Sequence, residues 1–395
     1  MKILQINSIY KNGSTGRTTY EVEKALIDRG HDPYVAYGYG ESDLDDHHFC
    51  INTKFTNNAH KILSRLTGLE GYFSIIPTIV LIHRIKRIKP DIIHLRCLHG
   101  DYLNLPILFR YLKKYDGHVF MNLHDCWDFT GHCPYFGECD KWKKQCYACD
   151  KYKQYPKSLF FDTSKKIYND KAKWYKEIKK LHVIAVSKWL MELANQSILS
   201  GRDISYLYNW IDQNVFNVEA KNEISDDFSI VFVSASWEPG SYRYEMLNRL
   251  IEMIPETYTI KIAGIYVGKR SEKKNVKYIG YIKDVKKLAS LYANSDVYVH
   301  LSKEEAFGKV IAEANACGIP AIVFNVSGCA EVVSDFSGYK VEVDDLETIV
   351  DCIQEIHNNG HAFYEEKSVK NVQERFNYSK NVNKLIDFYE EIERI

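Results

Sequence analysis

The sequence predicts an α/β fold with two domains, each built on a parallel sheet that helices cover on both faces. The chain has 395 residues, which is enough for two domains with separate cores. Short apolar strand patterns alternate with helical patterns, and this alternation is typical of parallel sheets. One strand pattern opens the chain, and another opens at Ser229, just after the charged and polar run Glu219–Asp227. We interpret that run as the hinge between the two domains.

Composition narrows the class of protein. The net charge is zero and the pI is near 7.2, so nothing indicates a nucleic-acid partner. No run approaches the roughly 20 apolar residues that cross a bilayer. Met1–Asn7 is predicted to be the first strand rather than a signal peptide, because its apolar run is short and no cleavage site follows. We therefore expect a cytoplasmic protein whose ten cysteines are reduced or bound to metal.

In the first half, strands and helices are assigned from apolar runs and helical periodicity. Strands are predicted at Ile3–Ile6, Tyr34–Tyr37, Asp91–Leu95, Val119–Leu123, His182–Val186 and Ile204–Leu207. Helices are predicted at Thr18–Arg29, His60–Leu66, Ser74–Arg87, Tyr102–Lys114 and Ser164–Lys179, with a further one starting at Ser187. The loop Lys11–Arg17 carries two glycines without the G-x-G-x-x-G spacing, so the dinucleotide fingerprint is absent.

The helix predicted at Ser74–Arg87 ends in a basic segment. Its apolar residues are Ile75, Ile76, Ile79, Val80 and Ile82, and its basic end comprises His83, Arg84, Lys86, Arg87 and Lys89. Such a helix either lies on an anionic membrane surface or is buried with a solvated basic end. We favour the buried helix, and keep peripheral contact with the inner face of the cell membrane as the alternative.

Four cysteines follow the fifth strand in a long irregular segment. Cys133, Cys139, Cys146 and Cys149 are separated by five, six and two residues, and only the last pair has a common zinc-knuckle spacing. A structural zinc site and an unmetallated cluster with a redox pair are both open. Zinc would brace a segment that has little other means of burying its backbone.

The second half repeats the alternation. Strands are predicted at Ser229–Ser234, Thr259–Ala263, Val276–Ile279, Asp296–Leu301 and before Asn325. Helices are predicted at Tyr244–Met253, at Val285–Ala293, after Gly308 and at Tyr378–Ile392.

The segment Glu304–Pro320 organises this half. An acidic loop leaves the carboxyl end of a buried strand and enters a helix that starts near Gly308 and stops at Gly318-Ile319-Pro320. Ligands bind at such strand ends, and the first N–H groups of a helix favour an anion such as a diphosphate. Glu313, about two turns into the helix, would suit ribose hydroxyls; solvated acids are the ordinary alternative for both Glu305 and Glu313.

Glu305 and Glu313 flank seven residues, and the segment resembles the E-x7-E motif of retaining glycosyltransferases of family 4. The resemblance covers nearly the whole chain and extends to a subgroup from bacterial capsule and exopolysaccharide biosynthesis. It implies the GT-B fold: two Rossmann-like, doubly wound domains facing across a cleft, with a C-terminal helix crossing back to the first. The implied divisions are an acceptor domain at 1–208 with an insertion at about 126–157, a linker at 209–227, a nucleotide-sugar domain at 228–375 and a crossing helix at 376–395.

The same resemblance implies the site. Glu305 and His124 are the catalytic candidates, with His124 beside the donor sugar and Glu305 holding its hydroxyls. The implied donor-binding residues are Gly16, Arg17, Arg243, Gly280, Tyr281, Ala306, Phe307, Gly308, Lys309, Val310 and Glu313. The family usually holds the diphosphate with an Arg and a Lys-Gly pair, but this chain has Tyr242 at the Lys position. Arg243 and Lys309 are the candidate replacements.

The expected activity is transfer of a hexosyl group from a nucleotide diphosphate sugar to a glycan or lipid-linked glycan, with no catalytic metal. Two alternatives remain open. A sugar-nucleotide epimerase of the same fold would isomerise the donor without an acceptor. A non-enzymatic zinc or glycan-binding protein would release no nucleotide diphosphate.

Overall fold

The computed structural model describes residues 1–40, 45–222 and 227–393. Part of the predicted linker (223–226) and the end of the predicted crossing helix (394–395) lie outside the described residues. The chain forms two units: Met1–Leu207 with the described residues from Val382 onward, and Tyr208–Asn381. No described helix combines the length and the apolar character needed to span a membrane.

The first unit is built on a seven-stranded parallel sheet in the order β3-β2-β1-β4-β5-β6-β7. The strands are β1 Lys2–Asn7, β2 Asp32–Tyr37, β3 His48–Cys50, β4 Ile92–Leu95, β5 His118–Leu123, β6 Leu181–Ala185 and β7 Asp203–Tyr206. The helices are α1 Gly13–Asp28, α2 Lys54–Thr67, α3 Ile75–Ile88, α4 Leu105–Leu112, α5 Ser164–Glu177 and α6 Lys188–Asn195. Helix-capping side chains fix several starts: Thr53, Asn104 and Ser187 each accept a backbone N–H of the first turn.

The second unit has a six-stranded parallel sheet in the order β10-β9-β8-β11-β12-β13. Its strands are β8 Ser229–Trp237, β9 Thr259–Tyr266, β10 Val276–Gly280, β11 Val297–His300, β12 Ala321–Phe324 and β13 Gly338–Val341. Its helices are α7 Tyr242–Met253, α8 Val285–Ala293, α9 Lys309–Ala316, α10 Ser327–Val332, α11 Leu346–Asn359 and α12 His361–Arg375, and α13 Tyr378–Glu393 begins in it. In both units the order runs outward in both directions from the first strand, which is the doubly wound Rossmann-like arrangement.

Helix α13 starts in the second unit, and its residues from Val382 onward belong to the first. There the Tyr389 hydroxyl lies 2.5 Å from His94 Nδ1, and Arg29 Nη2 donates to Glu390 Oε2 at 2.9 Å. The prediction that the closing helix returns to the first domain is therefore confirmed.

Two predictions from sequence need correction, and several elements were not predicted. Helix α1 begins at Gly13, so Gly16 and Arg17 lie near its start rather than in a preceding loop. The elements not predicted are β3, β13, α10, α11 and α12; β3 has only three residues, which carry too little periodicity. Helix α3 is not buried: Ile75, Ile76, Ile79 and Val80 are exposed, whereas Thr78, Leu81 and Ile85 face the core.

Candidate functional site

The loop between β11 and α9 forms the candidate site of the second unit. Gly308 caps α9 with φ +80°, a left-handed conformation that favours glycine. A Cβ there would lie 2.6 Å from Ile311 Cδ1, so any side chain would crowd the start of the helix. The first N–H groups of α9 lie at the carboxyl edge of the sheet, where an anion is favoured.

Glu305 is held in this loop through its backbone. Its N–H donates to Ser327 Oγ at 3.2 Å, and its carbonyl accepts from Gly328 N at 2.9 Å. The carboxylate oxygen Oε1 lies 3.8 Å from Arg243 Nη1 and 3.8 Å from His300 Nε2. Burial raises the pKa of Glu305, and the Arg243 guanidinium partly offsets that rise. The side chain is 24% exposed, which leaves one edge open to a ligand.

His300 was not singled out in the sequence. It is the last residue of β11 and is buried, with Nδ1 2.8 Å from the Tyr298 hydroxyl. Nε2, on the side of Glu305, has no hydrogen-bond partner among the described residues. Burial, helped by Arg243, lowers the pKa of His300 to about 3, so the ring is neutral at pH 7. Its position at the carboxyl end of a buried strand is the signal that could have identified it.

The remaining residues of the predicted motif differ in how deeply they are buried. Ala306 and Phe307 are buried, and the Phe307 ring packs 5.2 Å from that of Phe376, so both help to fix the loop. Lys309 and Val310 are half-buried near the start of α9. Glu313 is only 2% exposed, which makes it an interior carboxylate rather than a solvated acid.

Cations near the loop come from two elements. Arg243 lies at the start of α7, while Tyr242 donates its hydroxyl to Asp344 Oδ1 at 2.6 Å. Lys303 Nζ lies 4.0 Å from the centre of the Tyr242 ring and 3.3 Å from Asp344 Oδ2. Lys303 therefore places a charge beside the position where the family usually has a lysine. No sequence pattern singled out Lys303.

Gly280 and Tyr281 follow β10. Gly280 has φ +83°, and no atom would lie within 4 Å of a Cβ at this position. A ligand can therefore approach the backbone closely. The exposed Tyr281 ring lines a cavity of about 670 Å³ together with Lys261 and Lys287.

In the first unit, His124 follows β5 directly, at the carboxyl edge of its sheet. A histidine–aspartate pair lies at the same edge. His99 Nε2 is 2.9 Å from Asp125 Oδ2, and His99 Nδ1 is 2.9 Å from the Tyr155 hydroxyl. Burial lowers the pKa of His99, but Cys97 and Asp125 together raise it well above its usual value, which favours a charged ring beside the Asp125 carboxylate. Sequence reasoning missed it, since the two residues are 26 positions apart.

The four predicted zinc ligands line one cavity of about 610 Å³. Cys133 Sγ and Cys149 Sγ are 3.9 Å apart, and Gly131 N donates to Cys146 Sγ at 3.2 Å. Within the described ranges, no three of these sulfur atoms lie within 4.8 Å of one another. A tetrahedral site would therefore require the side chains to move together.

Two family models match the chain. The model described as "Glycosyltransferase Family 4" matches residues 15–215, and "Glycosyl transferases group 1" matches residues 266–375. A protein of Escherichia coli (strain K12), provisionally named colanic acid biosynthesis glycosyl transferase WcaC, is 24% identical over 89% of both chains. An uncharacterized 41.2 kDa protein in the cps region of Klebsiella pneumoniae is 26% identical over 88% of this chain and 92% of its own.

Solved structures share the fold. Sucrose-phosphate synthase from Thermosynechococcus elongatus superposes with a TM-score of 0.72 at 15% identity, covering 99% of both chains. Anabaena HepE in complex with UDP superposes with a TM-score of 0.67 at 15% identity, covering 99% of this chain and 100% of HepE. The fold is thus that of the GT-B glycosyltransferases. With half of its length matched by the family model, the chain is a glycosyltransferase and belongs to glycosyltransferase family 4.

Proposed function

We propose that this protein moves a hexosyl group, with retention of configuration, from a nucleotide diphosphate sugar to a glycan or lipid-linked glycan in surface polysaccharide synthesis. The observation that carries the proposal is the Glu305 carboxylate, flanked by Arg243 and His300 at the start of α9. Two comparisons support the substrates. HepE has been solved with UDP-glucose, and an Escherichia coli relative 28% identical over 30% of this chain is named for galactosyl transfer to GlcNAc-diphosphoundecaprenol.

In this proposal the donor lies along the carboxyl edge of the second sheet. The diphosphate accepts hydrogen bonds from the N–H groups at the start of α9 beside Gly308. Arg243 and Lys309 supply positive charge to its oxygens. Glu313 accepts hydrogen bonds from the ribose hydroxyls. These bonds stabilise a carboxylate that would otherwise be repelled by the nearby diphosphate. Tyr281 and the open backbone at Gly280 receive the base.

The reaction breaks the bond between the anomeric carbon and the diphosphate oxygen and forms a bond to the acceptor oxygen. The acceptor hydroxyl passes its proton to the departing diphosphate oxygen. The negative charge that builds on the leaving nucleotide diphosphate is stabilised by the cations and the helix N–H groups. Glu305 orients the hydroxyls of the transferred sugar, and His124 contacts that sugar, as the family resemblance implies. No step requires a divalent ion.

The cysteine cluster has a structural part in the proposal. Four thiolates leave no open coordination position, so a zinc ion there would brace the insertion rather than act on substrate. Metal analysis of the purified protein tests this. About one zinc per chain, lost in Cys146→Ser, supports it, whereas a disulfide between Cys133 and Cys149 supports the redox alternative.

Contact with a membrane is also part of the proposal, because the apolar residues of α3 are exposed rather than buried. Ile76 is 75% exposed, and the last turn of α3 carries Lys86 and Arg87. An apolar surface followed by basic residues suits the anionic inner face of the cell membrane, where lipid-linked acceptors reside.

A panel of nucleotide sugars tests the activity, with binding scored by thermal shift and turnover by nucleotide diphosphate release in the presence of glycan acceptors. We expect one donor to stabilise the protein and to be consumed only when acceptor is present. In Glu305→Gln, turnover should fall by roughly 10²-fold or more while the protein stays folded.

The neighbouring acid provides the matched control, because Glu304→Gln removes the same charge one residue away and should retain turnover close to wild type. Equal activity in Glu305→Gln and wild type would remove the basis of the proposal. Isomerised donor without acceptor would indicate the epimerase instead.

A further inference from the structure

We propose that His60, Glu70 and Asp101 of the first unit hold a divalent cation. One ligand atom from each residue lies within 4.8 Å of the other two. His60 is 1% exposed, Glu70 is 5% exposed and Asp101 is half-buried, so this is an interior cluster rather than a group of surface acids. It lies where α2 meets the loop that follows β4.

Ser64, on α2, lies between the two carboxylates of the cluster. Its hydroxyl oxygen lies 3.0 Å from Glu70 Oε2 and 2.8 Å from Asp101 Oδ1. A hydroxyl has one proton, so it can donate to only one of these two carboxylates at a time. The other carboxylate oxygen then faces the same oxygen without a proton between them. Buried carboxylates in such a position need a proton or a cation.

His60 supplies the second, independent observation. Its Nδ1 lies 2.7 Å from Ser74 Oγ, which fixes the ring. Its Nε2 is buried and has no hydrogen-bond partner within the part of the chain that the structure describes. Metal-binding histidines are commonly arranged in this way, with one ring nitrogen held by a neighbouring group and the other left for the ion.

The carboxylate of Glu70 is oriented as well. Its Oε1 accepts the backbone N–H of Gly100 at 2.9 Å and that of Asp101 at 3.0 Å. A cavity of about 280 Å³ gives an ion a route to the cluster. It is lined by Ser64, Glu70 and Asp101, and also by the cationic residues Lys61, Arg65 and Lys157. One imidazole and two carboxylates suit Mn²⁺, Fe²⁺ or Zn²⁺ better than Ca²⁺.

The ion would fix the loop at the carboxyl end of β4. In that loop Gly100 has φ +114° and Asp101 has φ +62°, the latter a conformation that non-glycine residues seldom adopt. Joining Asp101 to α2 through a metal would hold this conformation. The inference concerns binding alone and does not depend on the transferase proposal.

Mn²⁺ is the probe, because it prefers oxygen and nitrogen ligands and so avoids the cysteine cavity. The full-length protein is stripped with chelator and titrated with MnCl₂ by calorimetry and by electron paramagnetic resonance. We expect about one Mn²⁺ per chain, with affinity about tenfold or more weaker in Glu70→Gln and Asp101→Asn. Nitrogen hyperfine coupling to the ion should be present in wild type and absent in His60→Gln.

Asp116→Asn, which changes an exposed acid of the first unit, is the matched control and should bind Mn²⁺ as wild type does, with circular dichroism verifying the fold of every variant. The rival is a proton shared by the two carboxylates, because burial and Glu70 raise the pKa of Asp101 to about 6. A wild type that takes up neither Mn²⁺ nor Zn²⁺ more strongly than Asp101→Asn does would overturn the inference. So would Mn²⁺ binding that lacks nitrogen coupling.

Discussion

Arg243 has two effects that one substitution can separate. Its guanidinium offers a forked donor for phosphate oxygens, and it also lowers the pKa of Glu305 against the effect of burial. We expect Arg243→Gln to raise the KM for the donor by about tenfold or more. The acid limb of the pH profile of kcat should also move to higher pH, because the pKa of Glu305 rises when the cation is lost.

Arg243→Lys is the control for that prediction. It keeps the positive charge near Glu305 but removes the paired N–H donors of the guanidinium. The pH profile of kcat should therefore stay in place while the KM for the donor still rises. If Arg243→Gln leaves both quantities unchanged, phosphate recognition must depend on Lys303 or Lys309 instead.

His300 should make the protein sensitive to acid. Its pKa is about 3 in the folded state and near 6.5 when unfolded, so between these values the unfolded state binds the extra proton. Stability therefore falls as the pH drops from 6.5 towards 3. In urea titrations, His300→Gln should show a shallower loss of unfolding free energy over that range, and Tyr298→Phe should keep the wild-type slope. Parallel slopes for His300→Gln and wild type would contradict the assignment.

The sequence singles out the two acids of the candidate site but not the residues around them. Glu305 and Glu313 stand in a recognisable spacing, whereas Lys303 and His300 acquire meaning only through contacts with Tyr242 and Glu305. The His99–Asp125 pair shows the same limit, since the sheet brings together strand ends that lie far apart in the sequence.

At the scale of elements, the exposed face of α3 leads to a binding prediction. The double substitution Ile76→Glu and Val80→Glu places two charges on this face without touching Leu81 or Ile85, which face the core. Co-sedimentation with vesicles containing anionic phospholipid should weaken by about tenfold or more.

Ile27→Glu, on the exposed side of α1, is the matched control and should bind vesicles as wild type does. Equal binding by all three proteins, or none by wild type, would argue against the membrane surface on α3. Neutral vesicles separate the apolar part of the interaction from the part due to the basic end.

Capping residues marked only some helix starts correctly, because α2 begins at Lys54 after its cap Thr53 although a start at His60 was predicted. Helix α8 begins at Val285 after its cap Asp284, as predicted. Helix α1 was placed too late, because Gly13 and Gly16 are typical of loops, although tertiary contacts stabilise a helix there. The burial of α3 was wrongly predicted because periodicity shows that a face is apolar without showing what covers it.

At the scale of the whole molecule, two parallel sheets followed from the repeated alternation of strands and helices, and their strand orders match the doubly wound pattern. The return of α13 to the first unit came from the family resemblance, since nothing in residues 378–393 indicates a partner. The structure supplies that partner: Leu385, Ile386 and Tyr389 are buried, and Tyr389 contacts both His94 and Phe120.

Loss of the Tyr389 contact should destabilise the first unit. Tyr389→Ala removes a fully buried ring next to β4 and β5, and leaves His94 Nδ1 without the Tyr389 hydroxyl. The cost should be roughly 3–5 kcal/mol, mostly in the first unit. Hydrogen exchange followed by mass spectrometry should show faster exchange in peptides covering β4 and β5, with β11 and β12 unchanged. Arg29→Ala, which removes only exposed ion pairs of the same helix, should change exchange little. Exchange that rises equally in both sheets would mean that α13 stabilises the two units as one cooperative fold.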